Sequence, residues 1–151
     1  MKKILAFTLA LTSLSSIAAT TGTLVLKGVV ASKISIEVTP ATIASSLPLE
    51  TSQTNTKVAS VREKSNSSSG YKVTISSANL GNLKSGAESF AYTLSYDGAA
   101  LNLASPVVQT HSSPASVNAV KDVTISYTGV PAEDMVAGDY TDSVTFTIAA
   151  N

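Results

Sequence analysis

Sixteen consecutive residues, Thr23 to Val38, follow one β pattern: Leu24, Leu26, Val30, Ile34, Ile36 and Val38 recur at every second place, with only Gly28 and Ser32 interrupting. A period of two puts them all on one face of an extended chain. Ordinary strands take about five or six residues. The stretch is therefore either one unusually long strand bent at Gly28, or two strands in series. In the second case the first strand need not belong to its own domain. The pattern alone fits both.

What precedes it reads as a signal peptide over residues 1–19. Lys2 and Lys3 form a positive start, Ile4 to Leu14 an apolar run, and Ser15 to Ala19 a small-residue cleavage site, with the cut after Ala18 or Ala19. The apolar run is too short for a membrane span. Its removal takes two of the ten basic residues and leaves eight against ten acidic ones. Such a chain offers no basic patch to nucleic acid and no polybasic face to a membrane. About 132 residues remain, enough for one domain. Cysteine is absent, so stability must come from the core or from assembly. Abundant Ser and Thr, sparse charge and no amphipathic helical stretch outside the leader predict an all-β fold.

Thr39-Pro40 marks a break after the opening stretch. Thr42 to Thr56 reads as polar chain with room for one short edge strand beside Pro48. Lys57–Lys64 and Tyr71–Ser76 read as two strands joined by the turn Ser65-Asn66-Ser67-Ser68-Ser69-Gly70, together a hairpin with Tyr71, Val73 and Ile75 facing inward. Leu80 to Glu88 reads as a loop, and Phe90, Tyr92, Leu94 and Tyr96 as one strand. Asp97-Gly98 then turns the chain into a return strand from Ala99 to Leu103. Ser105 to Asn118 is expected to be loop with a short strand at Val107-Val108. Val123, Ile125 and Tyr127 mark a further strand, and Val130 to Gly138 a connection. Asp139 to Ala149 closes the chain as a strand with Tyr140, Val144, Phe146 and Ile148 on one face. Seven or eight short strands at this spacing predict an antiparallel sandwich, an architecture that needs roughly 100 residues.

Chemistry is hard to find. His111, the sole histidine, falls in a Ser/Pro-rich stretch and is read as a solvated loop residue. One histidine and no cysteine exclude the common zinc sites. Glu133-Asp134 and Asp139 to Asp142 lack the dense oxygen-ligand spacing of a calcium loop. After the leader the chain holds no tryptophan and only Phe90 and Phe146 as phenylalanines, too few aromatics for a sugar-holding cleft with paired carboxylates. Gly81, Gly86 and Gly98 are isolated and form no phosphate loop. Asn66-Ser67-Ser68 fits the glycosylation triplet, a pattern common by chance. No catalytic residue, cofactor or metal is expected, and the chain is read as a non-enzyme.

An antiparallel sandwich must hide its edges, because unpaired N–H and C=O groups recruit other strands. One solution leaves a gap and fills it with a strand from a neighbour. That needs a free extension with alternating large apolar residues, which Leu24, Leu26 and Val30 supply, and a groove wall, for which the terminal strand is suited. Burying three such side chains is worth at most about 5–9 kcal/mol, comparable to the stability of a whole domain.

Three stretches carry a likeness to a known family. They are Leu24-Val25-Leu26-Lys27-Gly28-Val29-Val30 running into Ile34-Ser35-Ile36, Val61-Arg62-Glu63-Lys64 through Tyr71-Lys72-Val73-Thr74-Ile75, and Ala137-Gly138-Asp139-Tyr140 through Val144-Thr145-Phe146-Thr147-Ile148. In these the chain resembles the major pilins of chaperone–usher fimbriae. The likeness is closest to the cysteine-free alpha-type (colonisation factor antigen-like) pilins and looser to the spore coat protein U-type archaic pilins. The resemblance implies an incomplete immunoglobulin-like sandwich (31–151) preceded by a donor-strand extension (20–30). It implies export through the periplasm to a cell-surface fimbria, in support of adhesion or biofilm formation. The implied partners are copies of the chain or sister pilins, a periplasmic chaperone and an outer-membrane usher. Leu24, Leu26 and Val30 match the donor positions. Tyr140, Val144, Phe146 and Ile148 match the chaperone-pairing strand, and Gly138 matches a glycine many pilins carry fourteenth from the end. Ala150 departs from the aromatic penultimate residue frequent in such pilins. The length leaves no room for the extra binding domain of a tip adhesin, so a shaft or minor subunit is expected. The alternative is a self-contained secreted β-sandwich binding domain, an adhesin or carbohydrate-binding module whose first strand closes its own sheet. A small hydrolase would require an acid–base pair that the sequence does not offer.

Overall fold

The computed structural model describes residues 20–113 and 116–151; the leader expected at 1–19 lies outside the described residues. The chain divides into a segment ending at Val30 and a body from Ala31 to Asn151. In the first, Thr20–Val30 carries no strand, and Leu24, Leu26 and Val30 are 81, 84 and 87% exposed. The body is antiparallel β throughout, apart from two short 3-10 turns at Thr42–Ser45 and Ala132–Asp134.

Ten strands occur among the described residues: β1 Ile34–Pro40, β2 Gln53–Ser65, β3 Tyr71–Ser77, β4 Asn82–Ser85, β5 Glu88–Ala91, β6 Thr93–Tyr96, β7 Ala99–Leu101, β8 Val107–His111, β9 Val117–Tyr127 and β10 Val144–Ala150. They form a five-stranded sheet ordered β1-β2-β9-β6-β7, a three-stranded sheet ordered β10-β3-β8, and the small hairpin β4–β5. The two larger sheets share a core in which Val61 of β2 and Val73 and Ile75 of β3 are fully buried. Leu94, Tyr96, Val123 and Ile125 complete its centre, and Phe90 meets Tyr127 edge to face at 5.3 Å.

Several expectations are corrected. Of the sixteen-residue opening pattern only the last five residues, Ile34 to Val38, lie in a strand, β1, so the long strand bent at Gly28 does not form. Alternation shows that a segment could be a strand, but pairing requires a partner edge. β2 and β3 are not a hairpin. Both edges of β2 are taken, by β1 and by β9, so the 65–70 turn carries the chain across to the other sheet. Gly70 makes that crossing at φ +82°, with no room for a Cβ, which would lie 2.0 Å from the His111 carbonyl oxygen. The stretch expected as a loop at Leu80–Glu88 supplies β4 and the turn into β5. The strand expected from Phe90 to Tyr96 breaks at Tyr92, whose N–H turns aside to donate to the Gly81 carbonyl. Instead of an edge strand beside Pro48, the chain forms the first 3-10 turn, and β2 begins early at Gln53. The closing strand starts at Val144, five residues later than Asp139, because Tyr140 to Ser143 serve as an anchor described below.

Candidate functional site: an open groove between two edge strands

β1 ends the large sheet and β10 ends the three-stranded one, and each has one free edge. The two strands come within 8 Å of each other at Cα without a ladder between them. On their inward faces, Ile34, Ile36, Val144, Phe146 and Ile148 are only half-buried, and Val38 is 41% exposed. One strand further in, on β3, Val73 and Ile75 are completely covered. The core therefore loses its cover abruptly at this flank. At the opposite flank, where β7 and β8 end the two sheets, Leu101 and Leu103 between them are both buried.

An apolar cleft of about 290 Å³ opens between the two strands, with Val38 and Pro40 on one wall, Val144 and Phe146 on the other, and Leu94 and Ile125 along its floor. Phe146 leans on Tyr96 with ring centroids 5.8 Å apart. A second, more polar cleft of about 520 Å³ adjoins it, sharing Leu47, Leu83 and Asp142 and reaching Gly138 and Tyr140.

The wall formed by β10 is held at its start by Asp142. Its carboxylate accepts from Ser77 Oγ at 2.6 Å, the Asn79 N–H at 3.0 Å, the Ser143 N–H at 2.7 Å and the Tyr92 hydroxyl. Burial, reinforced by that hydrogen bond, pushes the Tyr92 hydroxyl above its ordinary value of 10.0. Thr141 exchanges two backbone hydrogen bonds with Lys84, both 2.9 Å. Four donors leave Asp142 little capacity for a cation. Among the described residues no group of His, Asp or Glu is arranged to hold a metal, and no helix is long and apolar enough to cross a membrane.

Of the residues singled out in the sequence, Val144, Phe146 and Ile148 share the groove face of β10. Tyr140 precedes the strand and donates its hydroxyl to the Val136 carbonyl at 3.0 Å. Gly138 is exposed, and a Cβ there would lie 2.2 Å from Ser85 Oγ. His111 is a strand residue rather than a solvated loop residue; it ends β8 and stacks on Tyr71 at 4.6 Å.

Sequence reasoning missed Glu63. It sits fully buried on β2 and accepts from Tyr71 Oη at 2.7 Å and from the Tyr96 hydroxyl. One carboxylate thus ties β3 of one sheet to β2 and β6 of the other. The available signal was parity: Val61, Glu63 and Ser65 alternate on one face, so a charge falls where a core residue belongs. Comparison with family models, with curated proteins and with solved structures finds no match to this chain.

Proposed function

We propose that the protein is a structural subunit of a surface fimbria that polymerises by donating its N-terminal strand to the groove of the next subunit. The body is then an immunoglobulin-like sandwich lacking its last strand. In the periplasm a chaperone covers the groove, and at an outer-membrane usher the extension of another subunit replaces it. The chain is a shaft or minor subunit and catalyses nothing.

The observation that carries this reading is the pair of free strand edges flanking an apolar cleft whose two walls stay partly exposed. Unpaired edges beside uncovered aliphatic side chains are what natural β proteins avoid unless something is meant to bind there. The extension has the matching chemistry: Leu24, Leu26 and Val30 alternate, and all are exposed. A strand hydrogen-bonded to both β1 and β10 would hold them about 9.5 Å apart, so occupation opens the cleft where they now converge.

The test introduces a charge into the apolar face of the donor. Leu26→Asp and Leu24→Asp each drive a carboxylate into an apolar pocket, a transfer worth several kcal/mol. Both variants should remain folded and soluble with chaperone yet form no filaments. Normal filament yield from both would overturn the proposal.

A further inference from the structure

The last ladder pair between β1 and β2 is Ile34 with Ser65, yet the pairing does not stop there. Asn66 directs three polar groups at the next residues outward. Its backbone N–H donates to the Lys33 carbonyl at 3.1 Å, its Oδ1 accepts from the Lys33 N–H at 2.5 Å, and its Nδ2 donates to the Ala31 carbonyl at 2.9 Å. The side-chain amide stands in for a peptide group and carries the pairing three residues past the ladder's end, to Ala31. Asn66 is itself half-buried and braced between the buried Ser65 and Ser67, the Ser67 N–H donating to Ser65 Oγ at 3.2 Å. Ala31, Ser32 and Lys33 bury no side chain, so these hydrogen bonds are what hold them.

We infer that Asn66 is a positioning residue for the donated strand: it clamps the joint between the body and the extension. The inference rests on the donated-strand reading. In a filament the extension up to Val30 lies in a neighbour's groove, and residues 31–33 are the chain that links one body to the next. Each of them has two soft backbone dihedrals. Clamped by Asn66, the linker has little freedom, so successive subunits meet at a set angle and the filament resists bending. Released, the linker swivels. Asn66 is not among the residues that line the groove, so the clamp governs stiffness rather than affinity.

The experiment compares the wild-type chain with Asn66→Ala, Asn66→Asp and, as a control in the same turn, the exposed Ser68→Ala. In the monomer, exchange of the Lys33 amide should speed up roughly five- to tenfold in Asn66→Ala, as loss of one hydrogen bond implies. Trypsin should cut sooner after Lys33 in that variant. Asn66→Asp keeps the acceptor for the Lys33 N–H and should restore its protection, while losing the bond to Ala31. Filaments assembled from Asn66→Ala should form in wild-type yield but show a persistence length in electron micrographs reduced at least about twofold, since three unrestrained residues behave as a flexible linker. Wild-type exchange at Lys33, or variant filaments as stiff as wild type, overturns the clamp and leaves the donated strand standing. Absence of filaments from the wild-type chain itself sinks the donated-strand reading and the joint with it.

Discussion

Glu63 is the residue whose surroundings are most demanding. A carboxylate with no exposed surface stays in the core because two tyrosine hydroxyls donate to it, and those tyrosines in turn depend on it. Glu63→Ala strands both hydroxyls and opens a cavity; a loss of about 3–5 kcal/mol is expected in urea unfolding. Burial first, then the hydrogen bond and charge of Glu63, push the hydroxyls of Tyr71 and Tyr96 above their ordinary value of 10.0. In the unfolded chain they ionise near pH 10 while in the folded protein they remain neutral. Above pH 10 the unfolded state therefore binds fewer protons, and stability falls as pH rises. Below pH 10 this contribution is fully present. A urea midpoint that stayed level from pH 9 to 11 would contradict the assignment. Gly138→Ala is expected to be mild: the nearest atom is a serine hydroxyl that can rotate away, and filament yield measures it. Residue identity alone made the core tyrosines legible as inward-facing, but not their partner. Lys57 to Lys64 reads well as a strand, yet whether a glutamate inside it meets water or two phenols depends on segments 8 and 33 residues away.

At the scale of elements, β10 matters most, and its position is set from outside itself. Asp142, two residues before the strand begins, gathers β3, the turn after it and Tyr92. Asp142→Ala leaves the Tyr92 hydroxyl and the Asn79 N–H without their acceptor and is expected to cost about 2–3 kcal/mol. It should also speed amide exchange along β10 more than along β2. Equal acceleration in both strands would show that Asp142 supports the fold generally rather than this wall. The alternation of Val144, Phe146 and Ile148 was readable because a strand's faces follow from local spacing. The start of the strand was not, because Tyr140 continues the same parity while its hydroxyl is tied to Val136. The hairpin expected between β2 and β3 failed for a related reason. Nearness in sequence favours pairing only when an edge is free, and β9, from far along the chain, occupies the edge that β3 would have used.

For the whole molecule, the body from Ala31 to Asn151 carries its own core, so deletion of residues 20–28 should leave a folded monomer that no longer polymerises. Adding a synthetic peptide of residues 20–31 to that monomer should raise its melting temperature. At a hundredfold excess over Kd the linkage is worth about 2.7 kcal/mol, or about 10 °C for a domain of this size. No shift at any peptide concentration would mean that the groove does not take this strand. By itself the sequence determined the all-β class, the inward parity of most strands and the apolar periodicity of the extension. All of these follow from spacing along a few residues and the preferences of Ser, Thr and branched side chains. Tertiary structure decided which of those segments find partners. It made Ile34 the first residue of β1, placed β2 and β3 in opposite sheets, and left β1 and β10 with free edges across an uncovered stretch of core. Pairing consumes edges, and how many remain unconsumed is a property of the whole chain rather than of any window within it.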